Sequence, residues 1–358
     1  MIRALLALAF LVAVAGCATL PRAATEPVRP VAVGYAPAQR GLEAIAARPD
    51  LAAYTHVNIA FANPDVSGAI VSGDQMACMS DGHGGTTPIA AVRTMIAAAH
   101  RAGAKALVSI GGGTIPACGG NWPALLHPPY RRALVRALVR LADKEKLDGI
   151  DVDIEGALLT QIDKAGDFTP FIAELGAALR RRGKLITCAT ASYEGGMVPT
   201  SSIRWFDLVN VMSYDAVGPF WGEPGGEHAP LEMARRDLAL WRSRGVARER
   251  LVLGVPFYGY GYGDLKGVYA YRDIAARFGA EMHGDEVGQR CAGCSYITFN
   301  GVDTLRTKAR LGAEQGAGFM VWEISQDTDD GALIHAMDDA VRSAPDAAAG
   351  AVAPPGGR

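Results

Sequence analysis

Asp151, Asp153 and Glu155 recur every second residue in the run Leu147-Asp148-Gly149-Ile150-Asp151-Val152-Asp153-Ile154-Glu155-Gly156. Strand side chains alternate between faces, so the three acids share one face while Ile150, Val152 and Ile154 share the other. The apolar face can pack on helices. The acidic face stacks carboxylates about 6–7 Å apart along the strand. No folding requirement asks for that. Crowded carboxylates resist full ionisation, which pushes at least one pKa upward. A carboxyl still protonated near neutral pH is what a general acid needs. A solvent-facing strand edge would explain acids blandly, but this strand is apolar on its other face and flanked by helical segments. A metal site is the other rival. Ligands on one straight strand do not converge easily on an ion that needs contacts of about 2.0–2.6 Å. No metal and no organic cofactor are expected.

Such a strand needs a frame. From Val31 onward, short apolar stretches alternate with amphipathic ones. Strands are expected at 31–36, 56–62, 105–110, 149–155, 185–191, 208–214, 251–257 and 318–324. Helices are expected at 88–102, 129–146, 168–182, 229–244, 302–315 and 332–343. Regular β-α alternation implies a parallel sheet. Eight strands favour closure into a single (β/α)8 TIM barrel, an α/β fold of this typical length. The alternative is an open doubly wound sheet, but no G-x-G-x-x-G opens a helix. Active sites of such barrels lie at the C-terminal ends of the strands. Glu155 therefore stands at the rim, with Asp153 and Asp151 deeper. Asp148 has the opposite parity and falls outside the inward row.

The Asp148–Glu155 run resembles the D-G-x-D-x-D-x-E signature of glycoside hydrolase family 18, the chitinase-like enzymes, at every fixed position. Three further stretches agree in order. Ser109-Ile110-Gly111-Gly112 is similar to the family's S-x-G-G motif, whose serine supports the carboxylates from behind. Met212-Ser213-Tyr214-Asp215 resembles M-x-Y-D, which implies that Tyr214 holds an acetamido group and that Asp215 lines the same subsite. Trp322 on strand eight takes, by the same resemblance, the place of an apolar floor under a sugar ring. Met212 shares a face with Tyr214. Tyr35, Phe61 and Tyr258 stand as further aromatic walls or as core, and Trp221 as a looser candidate for a neighbouring subsite. The stretch 260–300 between strand seven and its helix is expected to be a short insertion, leaving a shallow, open groove suited to internal cleavage.

A mechanism follows. Retaining glycosidases usually set an acid and a nucleophile on opposite sides of the bond, about 5–5.5 Å apart. Asp153 and Glu155 rise from one strand and approach a sugar from the same side. The substrate must then supply its own nucleophile, as a 2-acetamido oxygen can. Glu155 would protonate the leaving oxygen, Asp153 would orient the acetamido N–H, and Asp151 would share a proton with Asp153. The expected substrate is a β-1,4-linked glycan containing N-acetylglucosamine. The alternatives are an endo-β-N-acetylglucosaminidase on N-glycans, a peptidoglycan-directed hydrolase, and a non-catalytic chitin-binding protein on the same barrel.

With 358 residues, 49% hydrophobic and 20% charged, the chain can build one large core. A net charge of −2 gives no reason to expect nucleic acid as a partner, and a monomer is expected. Met1 to Ala15 has the shape of a secretory signal, too short to span a membrane comfortably. Val14-Ala15-Gly16-Cys17 resembles a bacterial lipobox, which implies lipidation of Cys17 and attachment to the outer membrane. A plain signal cleaved near Ala23-Ala24, leaving a periplasmic or extracellular protein, is the alternative. The division expected is a signal at 1–17, a tether at 18–29, the barrel at 30–343 and a disordered tail at 344–358. Export permits disulfides. Cys291-Ala292-Gly293-Cys294 lacks the partners of a zinc site and reads as a local bridge, Cys78 and Cys118 lie in loops after neighbouring strands where they could pair, and Cys188 reads as a buried thiol.

Overall fold

The computed structural model describes residues 29–343, Pro224 excepted. Eight parallel strands close into a barrel. They are β1 (Val31–Pro37), β2 (His56–Ala62), β3 (Lys105–Gly112), β4 (Gly149–Ile154), β5 (Leu185–Thr190), β6 (Leu208–Val211), β7 (Leu251–Pro256) and β8 (Gly318–Trp322). Each pairs with its sequence neighbour, and β8 closes on β1. The doubly wound alternative is excluded.

The two-residue period sorts side chains into two layers. Ile150, Val152 and Ile154 join the outer core between strands and helices, while Val33, Tyr35, Ala189, Tyr214 and Met320 pack inside the barrel. The helix Arg131–Lys144 shows how the outer layer forms. Leu134, Leu138, Leu141 and Ala142 recur at three- and four-residue spacing and are buried, with arginines between them facing out. Each buried leucine there contributes roughly 1.5–3 kcal/mol relative to exposure.

Helices lie close to their expected positions at Ile89–Arg101, Phe168–Arg180, Leu231–Ser243, Val302–Gln315 and Ala332–Arg342. Two excursions interrupt the alternation, and the first was not foreseen. After β2 the chain makes a three-stranded sheet from Val71–Ser72, Gln75–Ser80 and Thr86–Pro88. A Cys78–Cys118 disulfide ties this excursion to the loop after β3.

After β7 the expected short insertion is present and forms a folded α+β unit. Its five-stranded antiparallel sheet comprises Tyr258–Tyr262, Gly267–Ala270, Met282–His283, Glu286–Gly288 and Tyr296–Thr298, accompanied by the helix Tyr271–Phe278. Strands of two to five residues leave too little alternation to read. The Tyr-Gly-Tyr-Gly-Tyr stretch at 258–262 was the one legible signal. The unit's first strand borders the site, with Tyr258 against Tyr214 and Tyr260 against Trp221. A second disulfide joins Cys291 and Cys294 within it, and Cys188 is a buried free thiol. No helix among the described residues is long and apolar enough to cross a membrane. The expectations for Cys17, the signal, the tether and the tail lie outside the described residues.

Candidate active site

Strand register places the first part of the site. Ser109 on β3 and Thr187 on β5 are both paired with Asp151 on β4, so the three lie level inside the barrel. Asp151 is fully buried and accepts three hydroxyl hydrogen bonds: from Ser109 Oγ at 2.7 Å, from Tyr35 at 2.8 Å and from Thr187 Oγ1 at 2.5 Å. Burial raises its pKa, and the three hydroxyls work against that rise.

Asp153, one layer higher, has no such support. It is buried, and its Oδ1 has no partner among the described residues. Burial first, then the charges of Glu155 and Asp151, hold its pKa well above the ordinary carboxyl range. Both Asp151 oxygens accept from hydroxyls, and the Asp151 charge helps to raise the pKa of Asp153. Asp151 is anchored, and Asp153 carries the unmatched proton affinity.

Glu155 leaves β4 as the residue before the helix Gly156–Lys164 and is partly exposed. Its pKa is pushed up to about 7, by burial first and then by the charge of Asp215. The direction matches the expectation for a general acid. The second cause does not come from the acid row. It comes from across the barrel, where closure brings Asp215 near. Tyr193, in the turn after β5, is 60% exposed, and the Glu155 charge helps to raise its pKa, so an exposed ring stands near the acid.

Glycines make room for this row. Gly111 has φ +102 and Gly112 φ +98, conformations that other residues rarely adopt. A Cβ at Gly111 would come within 2.5 Å of the Asp153 carbonyl oxygen, and one at Gly112 within 2.7 Å of the Phe61 ring. Asn63 holds the turn, donating to the Gly111 carbonyl at 3.0 Å while accepting from Trp122 Nε1 at 2.9 Å.

The aromatic side is built differently. Phe61 and Trp322 are half-buried and stacked, with centroids 5.6 Å apart and planes 18° apart. The bonds Ala60–Phe61 and Trp322–Glu323 are cis. Tyr35 packs 5.5 Å from Trp322 but is only 1% exposed, its hydroxyl spent on Asp151. Tyr258 is 5% exposed, and its hydroxyl donates to Asp215 Oδ1. Neither of these two tyrosines is an open sugar wall; each holds an acid in place. Of the three walls considered from sequence, only Phe61 is partly exposed.

Beyond Val211 the chain leaves regular pairing. Met212 is half-buried, Tyr214 lines the barrel interior and Asp215 turns with φ +62, a left-handed conformation that costs a non-glycine residue about 1–3 kcal/mol. Burial and the charges of Asp215, Asp153 and Glu155 hold the Tyr214 hydroxyl protonated. Trp221 is 47% exposed and meets Tyr260 edge-on at 5.5 Å; Phe220 beside it is 80% exposed, with Lys266 Nζ 4.0 Å from its ring centre. Thr187, Tyr260, His228 and Tyr193 were missed from sequence. The inward parity of Thr187 in β5 was legible; the others depend on loops.

Asp148 stands apart from the row. It precedes β4, at the end of the barrel opposite the mouth. There it accepts from the Ala106 amide at 2.8 Å and faces His100 Nε2 at 2.8 Å. Its place in the motif is structural: it joins β3 to β4 at the closed end.

A closed parallel barrel with a carboxyl of raised pKa at its mouth, backed by buried aspartates and flanked by stacked aromatics, is the frame of a carbohydrate-cleaving barrel enzyme. The model of the family "Glycosyl hydrolases family 18" matches residues 31–327, and the chain belongs to that family. A chitinase-like effector of Moniliophthora roreri is 30% identical over 233 residues, covering 58% of this chain and 53% of that protein. Probable chitinase 10 of Drosophila melanogaster is 26% identical over 293 residues, covering 65% of this chain but 12% of its own length. The chain thus spans about half of one relative and a small part of the other. Among solved structures, the GH18 chitinase ChiB from the chitin utilization locus of Flavobacterium johnsoniae superposes with TM-score 0.73 at 26% identity, covering 87% of this chain and 94% of that one. A chitinase from Bacteroides thetaiotaomicron shares the fold, with TM-score 0.70 at 24% identity and coverage of 87% and 96%.

Proposed function

We propose that this protein hydrolyses β-1,4-linked glycans of N-acetylglucosamine, such as chitooligosaccharides, with retention of configuration and with the substrate's own acetamide as nucleophile. One observation carries the reading: Glu155, with a pKa near 7 at the mouth, stands two residues along one strand from Asp153, a buried carboxyl whose Oδ1 has no partner. Glu155 donates its proton to the leaving oxygen and then takes one from the incoming water. The open oxygen of Asp153 receives the acetamido N–H and stabilises the positive charge of the cyclic intermediate. Tyr214 donates to the acetamido carbonyl and aligns it for attack. Asp151 is too well bonded to react; it sets the orientation of the row. Phe61 and Trp322 form the apolar floor for a sugar ring. The chitinase names of the relatives and of the Flavobacterium structure agree with this substrate class.

The test is a panel of soluble chitooligosaccharides, a high-mannose glycopeptide and peptidoglycan, with products identified by mass. Cleavage of the chitooligosaccharides is expected. An analogue carrying a 2-hydroxyl in place of the acetamide should resist; its hydrolysis at a comparable rate would exclude the substrate-assisted route. We also propose export and lipid attachment through Cys17, on the strength of the Val14–Cys17 sequence. Incorporation of labelled palmitate that is lost in Cys17→Ser would support this, and a wild-type protein that takes up no label would exclude it.

A further inference from the structure

Behind Asp215 lies a buried group that the proposed reaction does not use. His228 is fully buried, and its ring packs 5.2 Å from the ring centres of both Tyr258 and Tyr260. Its Nδ1 lies 3.7 Å from Asp215 Oδ1, too far for a direct hydrogen bond. Neither ring nitrogen has a hydrogen-bond partner among the described residues. A buried imidazole without partners is unfavourable, so the surrounding chain must hold it there.

The chain does so from two sides. The His228 carbonyl accepts from the Ala216 amide at 2.8 Å, which ties it to the residue after Asp215. The Ala229 carbonyl accepts from Lys308 Nζ at 2.7 Å and from Asn300 Nδ2 at 2.9 Å. Lys308 Nζ also donates to Asn300 Oδ1 at 2.7 Å, and the lysine is fully buried. A buried ammonium whose bonds go to two neutral oxygens is a costly way to fix one carbonyl. The segment it fixes is the one that backs Asp215.

We propose that His228, clamped through Ala229 by Lys308 and Asn300, is a positioning residue that fixes Asp215 in its left-handed turn at the barrel mouth. The inference rests on the glycosidase reading above. The titratable and charged groups that face the imidazole are Asp215, Tyr258, Tyr260, Lys308 and Glu227. Burial lowers its pKa first, and the charge of Lys308 adds to this, against opposing effects of Asp215 and Glu227. The ring is therefore neutral where Glu155 works. It gives Asp215 a packed backing without cancelling its charge, and that charge is the one Glu155 feels.

Two measurements test this. The first is the pH profile of kcat/KM on a chitooligosaccharide for His228→Ala, which removes the ring that packs behind Asp215. A freed Asp215 should lower the alkaline limb by about half a pH unit and raise KM about threefold. Adding His228→Ala to Asp215→Asn should then produce no further shift of the limb. A variant that loses activity with an unmoved pH profile would mean general damage to the fold rather than a freed Asp215, and would overturn the proposal. The second uses isotope-labelled histidine and needs no turnover. The His228 resonance should titrate at lower pH in Asp215→Asn than in wild type, because Asp215 favours the charged ring. Identical titration would overturn the proposal whatever the enzyme hydrolyses. Failure of the wild type on every glycan, with the coupling intact, would instead remove the glycosidase reading.

Discussion

Asp151, deep in the barrel, and Asp215, at its mouth, are both held by tyrosine hydroxyls, yet the two walls that carry them are built by different means. On the β3–β5 wall, Ser109, Asp151 and Thr187 are level because strand register makes them so. On the β6–β7 wall, regular pairing stops at Val211, and Asp215, His228, Tyr258 and Tyr260 meet through loops and the inserted sheet. The first wall satisfies its deep acid with the hydroxyls of Ser109 and Thr187, joined by that of Tyr35 from β1. The second holds a strained acid whose charge acts across the mouth on Glu155. Register supplies rigidity, and loops supply the field that tunes the acid.

Breaking the first wall at its tip should have the largest effect. Glu155→Gln is expected to lower kcat by about 10²–10⁴-fold while oligosaccharide binding persists, as read by turnover and by calorimetry. Thermal stability offers a second readout. Between the ordinary carboxyl range and about 7, folded Glu155 keeps a proton that the unfolded chain has lost, so its contribution to stability falls as pH rises through that window. The glutamine variant should therefore melt about 2–4 °C above wild type at pH 8, a gain that vanishes at pH 4.

Asp153→Asn should follow, with a loss of about 10²-fold in kcat. A near-normal rate would mean that the unpartnered oxygen plays no part in the reaction. On the second wall, Tyr258→Phe removes the hydroxyl that holds Asp215. An effect of about 3–10-fold is expected, together with an alkaline limb of kcat/KM moved to lower pH. If that limb stays put, the two walls are not electrostatically coupled. The smallest kinetic effect should come from Thr187→Val. Losing one hydrogen bond to the buried Asp151 should cost about 1.5–3 kcal/mol in urea unfolding, with kcat changed less than in the other variants.

The walls also differ in how far they could be read from sequence. Strand alternation alone gave the inward row, its outward apolar partners and the barrel that holds them. The same rule would have found Thr187, since it needs only parity within β5. Parity also set Asp148 apart from the row, and its link to the Ala106 amide at the closed end bears this out. What remained hidden depends on closure. That Asp215 adds to the proton affinity of Glu155 is a fact about two strands brought together across a barrel. That Tyr35 and Tyr258 are tied to acids rather than facing sugar depends on which hydroxyl meets which carboxylate. The inserted sheet escaped notice because its strands are too short to show a period.

A final consequence concerns how β4 finds its place during folding. Sliding that strand by one residue against β3 would exchange its two faces. Asp151 and Asp153 would then enter the greasy layer beneath the helices, far from Ser109, Thr187 and Tyr35, and Ile150 and Val152 would fill the barrel lumen. Misaligned chains would have to bury bare carboxylates in hydrocarbon, a severe penalty. The residues chosen for chemistry thus also police the alignment of the sheet, and a variant with leucines at 151 and 153 should lose fidelity of assembly along with its activity.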